Sequence, residues 1–229
     1  MARPQQLVLD LGHRTALGEE DLLVGASNAA AVALIDQWPH WPGPAAMIVG
    51  PRQSGKSHLT HVWQHRSRAE AVTAKDLRES DIGRLEAAGA LAVEDLDQGI
   101  GCERTLFHLL NLAREHRATL LMTSALSPGD LVVALPDLRS RLRAAVVVEI
   151  SPPDDGLLGA VLVKHFADRQ LAVDPQVVGY LLVNMERTMA AAANLVDAID
   201  HLALASRRKV SRTLAAEALR RAGRGGDEA

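Results

Sequence analysis

Cysteine is nearly absent: Cys102 is the single one in 229 residues. An internal disulfide needs two, so none forms within the chain, and a reducing compartment is expected. No run of about eighteen consecutive apolar residues occurs, so no apolar helix is predicted to span a membrane. The first residues show neither the basic start nor the long apolar stretch of a secretory leader, and the expected location is the cytoplasm. Charge of either sign is also scarce in net terms. A balance of −3 gives no global pull toward nucleic acid or an anionic membrane. Aromatic residues make up only 3%, so alanine, valine and leucine must fill the interior. Apolar residues reach 48%, which is enough for a real core. The length fits one large domain, or a core domain with a smaller one.

What is present is an alternation. "AAMIVG" (Ala45–Gly50), "AEAVTA" (Ala69–Ala74), "ALAVED" (Ala90–Asp95), "TLLMTS" (Thr119–Ser124) and "VVVEI" (Val146–Ile150) are short apolar runs. Their length suits buried parallel strands. Helical patterns separate them: 28–37 with Ser27 as N-cap, 56–67, 75–89 and 102–116. The predicted fold class is α/β, a five-stranded parallel sheet between helices. After "SPPDD" the strands stop. Residues 155–169, 175–185, 188–207 and 213–222 read as helices, with Asp174-Pro175 a good helix opening. The expected organisation is a tail over 1–20, a core domain over 21–152, a helical domain over 153–223 and a polar glycine-rich end over 224–229, expected to be disordered.

"GPRQSGKS" carries chemistry. Gly50, Pro51, Arg52, Gln53, Ser54, Gly55, Lys56 and Ser57 fit G-x-x-x-x-G-K-[ST]. Gly50 and Gly55 allow tight turns, so successive N–H groups point inward as an anion nest. The helix that follows adds its positive end. Lys56 then reaches the outer phosphates of a nucleotide and Ser57 ligates Mg²⁺. At average residue frequencies four fixed positions arise by chance in roughly 1% of chains this long. An apolar strand before the loop and a helix after it narrow that further. Such a loop needs a carboxylate on a neighbouring strand. Glu94 and Asp95 supply one at the end of "LAVED", where parallel sheets bind ligands. Asp97 reads as loop. Thr123 and Ser124, ending "MTS", either face the nucleotide or serve a turn.

Other residues read more plainly. His58, His61 and His65 lie on one side of the helix after the loop, without a converging ligand set. Arg207, Arg208, Lys209 and Arg212 read as a solvated turn, and Cys102 as packing.

Together, "LLVGASNAAAV" (Leu22–Val32), "GPRQSGKSHL", "LAVEDLD", "LLMTS", "LPDLRSRL" (Leu135–Leu142) and "SPPDD" resemble the AAA+ ATPases. Within these they resemble the DnaA-related branch, in the short layout of its regulatory Hda group, without the flanking interaction and DNA-binding domains of the initiator. The resemblance implies an AAA+ domain followed by a helical lid. It implies ADP or ATP as ligand with Mg²⁺ on Ser57, Glu94 and Asp95. Leu23, Val24, Asn28 and His58 would complete the nucleotide site. It also makes Arg141 an arginine finger that acts in trans on ATP held by DnaA, with Arg139 and Arg143 as close competitors for that role. The other reading of Arg141 is a surface pair with Asp137. A role in negative regulation of replication initiation follows, as does association with DnaA or with a second copy.

The same resemblance gives a use to "QQLVLDLG" near the start. Gln6, Leu7, Leu9 and Leu11 match a peptide that docks on the DNA polymerase sliding clamp. As an extended segment it places alternate leucines on one side, ready for an apolar cleft. The alternative is an edge strand of the chain's own sheet. The sequence departs from the family at three places. Glu94 stands where aspartate is usual, Ala125 follows "TS" in place of aspartate, and Ala190 occupies the place of a lid arginine, leaving Arg187 nearby. These departures imply weak ATPase activity of the chain itself.

Overall fold

The computed structural model describes residues 23–116, 118–206 and 208–225. They divide into two compact units. One spans Ser27–Pro152, and the other comprises 153–225 with 23–26.

The first unit is built on five parallel strands: β1 (Ala45–Val49), β2 (Glu70–Thr73), β3 (Ala90–Glu94), β4 (Thr119–Ser124) and β5 (Val146–Glu149). Their spatial order is β2-β3-β4-β1-β5. Register sets Val49 beside Ser124, Ile48 beside Thr123 and Val93 beside Met122, so the polar strand ends gather at one edge. Alternation along the strands sends Met47, Val49, Leu91, Val93, Leu120 and Met122 into one core with Leu85, Leu106, Leu109, Leu138 and Leu142. Those leucines come from α3 (Ser80–Ala88), α4 (Glu103–His116) and α5 (Pro136–Arg143). The opposite face is covered by α1 (Ala29–Gln37) and α2 (Lys56–Ser67). There the three tryptophans form a cluster. Trp41 stacks on Trp63 at 5.7 Å and Trp38 meets Trp63 edge-on at 6.2 Å.

The second unit holds α6 (Asp155–Asp168), α7 (Pro175–Asn184), α8 (Met189–Ser206) and α9 (Arg212–Gly225) around its own core of Leu158, Leu162, Phe166, Leu181, Val196, Ile199 and Leu214. The caps are side chains. Asp154 accepts from Leu157 N, Asp174 from Gln176 N ahead of Pro175, and Thr188 Oγ1 from Ala191 N.

Several boundaries differ from the sequence reading. Ser27 does not cap α1. Its carbonyl is tied to Ser151 N at 3.0 Å, and the helix starts one residue later, after Asn28. The predicted helix over 75–89 is two elements, a 3-10 turn at Ala74–Asp76 and then α3. The buried Asp81 carboxylate accepts from Arg78 N at 2.8 Å, which fixes the break between them. Helix α5 is short and largely polar, so apolar periodicity does not announce it. Helix α9 continues through Arg224 to Gly225, past the point where the glycine-rich end was expected to begin. A helix end is a soft boundary, and one or two further residues extend it when the preceding turns are well packed.

Gly101 illustrates how tightly the connections pack. Its N–H donates to Ala74 O at 2.9 Å, and a Cβ there would lie 2.3 Å from Lys75 O. Backbone on that side cannot step away cheaply. Gly101→Ala is expected to destabilise the chain by about 1–3 kcal/mol in a urea or thermal melt. A change below about 0.5 kcal/mol would show that the approach relaxes freely.

Candidate nucleotide-binding site

The loop from β1 to α2 is held in place by its first residue. Gly50 N donates to Ser124 O at 3.1 Å. A Cβ on Gly50 would meet Ile150 O at 2.8 Å and Ser54 Oγ at 3.0 Å, so only glycine fits. Gln53 (φ 61°) and Gly55 (φ 96°) take left-handed backbone, which turns the chain sharply into the N-terminus of the twelve-residue α2. Pro51, Arg52 and Gln53 are exposed, as are Ser57 and His58 on the first turn of the helix.

Lys56 is buried. Its Nζ donates to Gly50 O and Pro51 O, both at 2.8 Å, so the ammonium lies under the loop it serves. Burial pushes its pKa below the usual lysine range. The carboxylates of Asp97 and Asp95 oppose that shift, and Arg52 adds to it. Asp97, expected to be a plain loop residue, therefore matters to the site. It sits in the 3-10 turn Leu96–Gln98, and its Oδ1 accepts from Ala125 N at 2.7 Å at the exit of β4. A second acid two positions beyond Asp95 was the available signal.

At the end of β3, Glu94 is half-buried and its Oε1 is enclosed without a hydrogen-bond partner among the described residues. Ser54 Oγ is in the same condition. Asp95 takes left-handed backbone (φ 59°, ψ 49°), and its N–H donates to Thr123 Oγ1 at 3.0 Å. Ser124 Oγ accepts from Leu126 N at 2.9 Å. Both β4 hydroxyls thus shape turns at the strand edge. Two orphaned oxygens, a glycine cradle, a helix N-terminus and a buried cation suit a phosphate group with a divalent cation. Buried polar atoms without partners are uncommon elsewhere in folded proteins.

Arg141 lies on α5 directly before the edge strand β5. It is half-buried, and no hydrogen bond or ion pair reaches its guanidinium among the described residues, Asp137 included. Arg139 is engaged, with Nη2 donating to Val133 O at 2.6 Å. Arg143 is exposed.

Comparison with known proteins adds the frame. No family model matches the chain. The chromosomal replication initiator protein DnaA of Lachnoclostridium phytofermentans is 26% identical over 229 residues, 88% of this chain and 50% of that one. Among solved structures, domain III of DnaA from Thermotoga maritima superposes with a TM-score of 0.75 at 16% identity, covering 88% of this chain and 94% of that one. AMPPCP-bound DnaA from Aquifex aeolicus gives a TM-score of 0.68 at 19% identity, over 78% of this chain and 63% of that one. The chain has the AAA+ fold and is a distant relative of DnaA. It spans about half the length of the curated DnaA it matches.

Within the AAA+ frame the remaining expectations fall into place unevenly. Gly50–Ser57, Glu94, Asp95, Thr123, Ser124 and Arg141 all belong to the sheet unit. Of the adenine candidates, Asn28 is buried at the head of α1 in that unit, whereas Leu23 packs against the core of the helical unit, to which Val24 also belongs. Arg187 is committed within the helical unit, its Nη1 paired with Asp155 Oδ1 at 2.6 Å. Among the described residues His58, His61 and His65 are not drawn into a ligand set; the last two meet edge to face at 5.4 Å. Arg212 stacks over Tyr180 at 4.7 Å, which is more than a solvated turn residue does. Cys102 precedes α4. Its thiol is half-buried and pulled below the usual range by hydrogen bonds from Thr105 and Arg104. Gln6, Leu7, Leu9 and Leu11 lie outside the described residues.

Proposed function

We propose that the chain is a nucleotide-binding regulator of replication initiation of the Hda type. It holds ADP or ATP at its own phosphate loop and presents Arg141 to ATP bound by DnaA, so that hydrolysis there leaves DnaA inactive. The observation that carries this reading is the guanidinium of Arg141, unpaired among the described residues. A guanidinium is always charged and normally finds a carboxylate when half-buried. Here it is kept open beside an edge strand, where a second AAA+ chain can bring an anionic nucleotide. DnaA is that chain in this reading, and a second copy of the protein is the competing one.

At the chain's own site, Mg²⁺ would supply charge neutralisation between phosphate oxygens, held by the Ser57 hydroxyl and the carboxylates Glu94 and Asp95. The backbone N–H groups of Gln53–Lys56 bind and orient the phosphates. Lys56 brings the positive charge, and Ser54 Oγ is a further donor within the loop. Hydrolysis by the chain itself is a second reading, that of an autonomous ATPase such as a helicase loader. The buried, unpartnered Glu94 oxygen favours it, since an acid in that state is available to metal or water.

The tail gives the regulator its place of action: Gln6, Leu7, Leu9 and Leu11 dock on the DNA polymerase sliding clamp. Two leucines entering an apolar cleft, at about 1.5 kcal/mol or more each, make the double change Leu9→Ala, Leu11→Ala weaken clamp binding by about 100-fold. Pull-down on immobilised clamp measures this, with ADP affinity expected to stay unchanged. The function itself is tested by ATP hydrolysis on DnaA with clamp-loaded DNA, with and without the chain. Rapid turnover by the purified chain alone, indifferent to clamp and DnaA, would favour the autonomous ATPase.

A further inference from the structure

Helix α5 has eight residues, too few to set its own direction. Its N-cap is Leu135, which offers no side-chain oxygen to the helix. The oxygens come from another helix. Glu103, first residue of α4 and half-buried, accepts two consecutive backbone N–H groups: Ala134 N on Oε1 at 2.8 Å and Leu135 N on Oε2 at 2.7 Å. A carboxylate taking one amide on each oxygen fixes the plane and the direction of that peptide. From within the segment, Arg139 Nη2 donates to Val133 O. Leu131 and Val133 are buried on either side of Val132, which stands 97% exposed. The strip is thus pinned through backbone and side chains, although it carries a bare valine in water.

We propose that Glu103 is a positioning residue for Arg141: by clamping Ala134 and Leu135 it sets the axis of α5, and with it the place from which the guanidinium meets the partner's nucleotide. This rests on the trans-acting reading above. Arg141 is six residues past Leu135, about 9 Å along the helix. A tilt of roughly 10° at the head moves it by about 1.5 Å, and displacements of about 1 Å are costly in catalysis. No hydrogen bond or ion pair joins Glu103 to Arg141 among the described residues, so its effect travels through the backbone that leads into α5.

The test uses the full chain with clamp-loaded DNA and ATP-loaded DnaA. Glu103→Gln keeps the shape but has one acceptor oxygen where two are used, so one of the two hydrogen bonds is lost and the other loses its charge assistance. At saturating regulator it should lower the hydrolysis rate about tenfold. The half-saturating concentration and the chain's own ADP affinity should stay within about twofold. A merely structural loss would instead move the melt and the ADP affinity. Amide exchange gives a second readout, with Ala134 and Leu135 exchanging about tenfold faster in the variant while β1 and β4 amides keep their protection. Glu103→Asp, which keeps the charge on a shorter arm, should fall between. A saturating rate within twofold of wild type, or unchanged exchange at Ala134 and Leu135, overturns the assignment. Arg141→Ala run in parallel separates the two failures. If it is inactive while Glu103→Gln is fully active, only the positioning role falls. If Arg141→Ala is fully active as well, Arg141 is not the finger, and this role falls with that assignment.

Discussion

Arg141→Ala should cut the stimulated hydrolysis of ATP on DnaA by about 10³-fold, the scale on which arginine fingers act. That is about 4 kcal/mol of transition-state stabilisation. The rest of the molecule should hardly notice. Among the described residues no partner of the Arg141 side chain is left orphaned by the change, and alanine is a better helix former than arginine on the short α5. Its melt should therefore stay within about 0.5 kcal/mol. ADP affinity at the chain's own phosphate loop and clamp binding should be unchanged. Arg141→Lys should rescue poorly, because a point charge on a flexible stem does not reproduce a planar fork across two oxygens. Arg139→Ala and Arg143→Ala are the controls. The first loses a bond to Val133 O, so a modest effect through the α5 lead-in is expected; the second, being exposed, should be near neutral. A full rate for Arg141→Ala together with a silent Arg143→Ala would move the assignment to Arg139. Silence at all three would leave the autonomous ATPase standing.

The two parts of the site were unequally legible in the sequence. The phosphate loop could be read because its chemistry is local: two glycines, a lysine and a serine at fixed spacing between an apolar strand and a helix. Gly50 shows why the spacing is strict, since Ile150 O and Ser54 Oγ leave no room for a Cβ. The acidic strand end was legible for the same reason. Asp97 was not, because its importance comes from two distant partners, Ala125 N through a hydrogen bond and Lys56 through space. Helix α5 escaped the periodicity of apolar residues because only Leu138 and Leu142 face inward over its eight positions. Glu103 was invisible for a related reason: it acts on amides 31 and 32 residues away. The break over 77–79 likewise depends on one buried carboxylate, Asp81, whose residue type alone suggests an exposed helix surface.

Lys56→Ala is expected to lower the affinity for ADP and ATP by about 100-fold in a fluorescence or calorimetric titration, the worth of a charged hydrogen-bonding donor to phosphate. Two effects add. The phosphates lose their cation, and the carboxylates of Asp95 and Asp97 then face them uncompensated. The loop also loses the donor that holds Gly50 O and Pro51 O, so its resting shape should loosen. The pH dependence follows from the direction of the shift. Burial is the main cause, and it lowers the pKa of Lys56 from the ordinary 10.5. The wild-type ammonium therefore neutralises earlier than a free lysine as pH rises. ADP affinity should begin to fall on the alkaline side in the window below 10.5 that the lowered pKa opens. In the ligand-free protein the sign is opposite. The buried charge opposes folding below the folded-state pKa, and that penalty is relieved as pH climbs through the window. Lys56→Met, which never carries the charge, should show neither trend. Asp97→Asn removes the strongest carboxylate influence on Lys56, so its alkaline loss of affinity should begin at lower pH than in wild type. An Asp97→Asn profile that coincides with wild type would mean that the carboxylate on the 3-10 turn serves Ala125 alone.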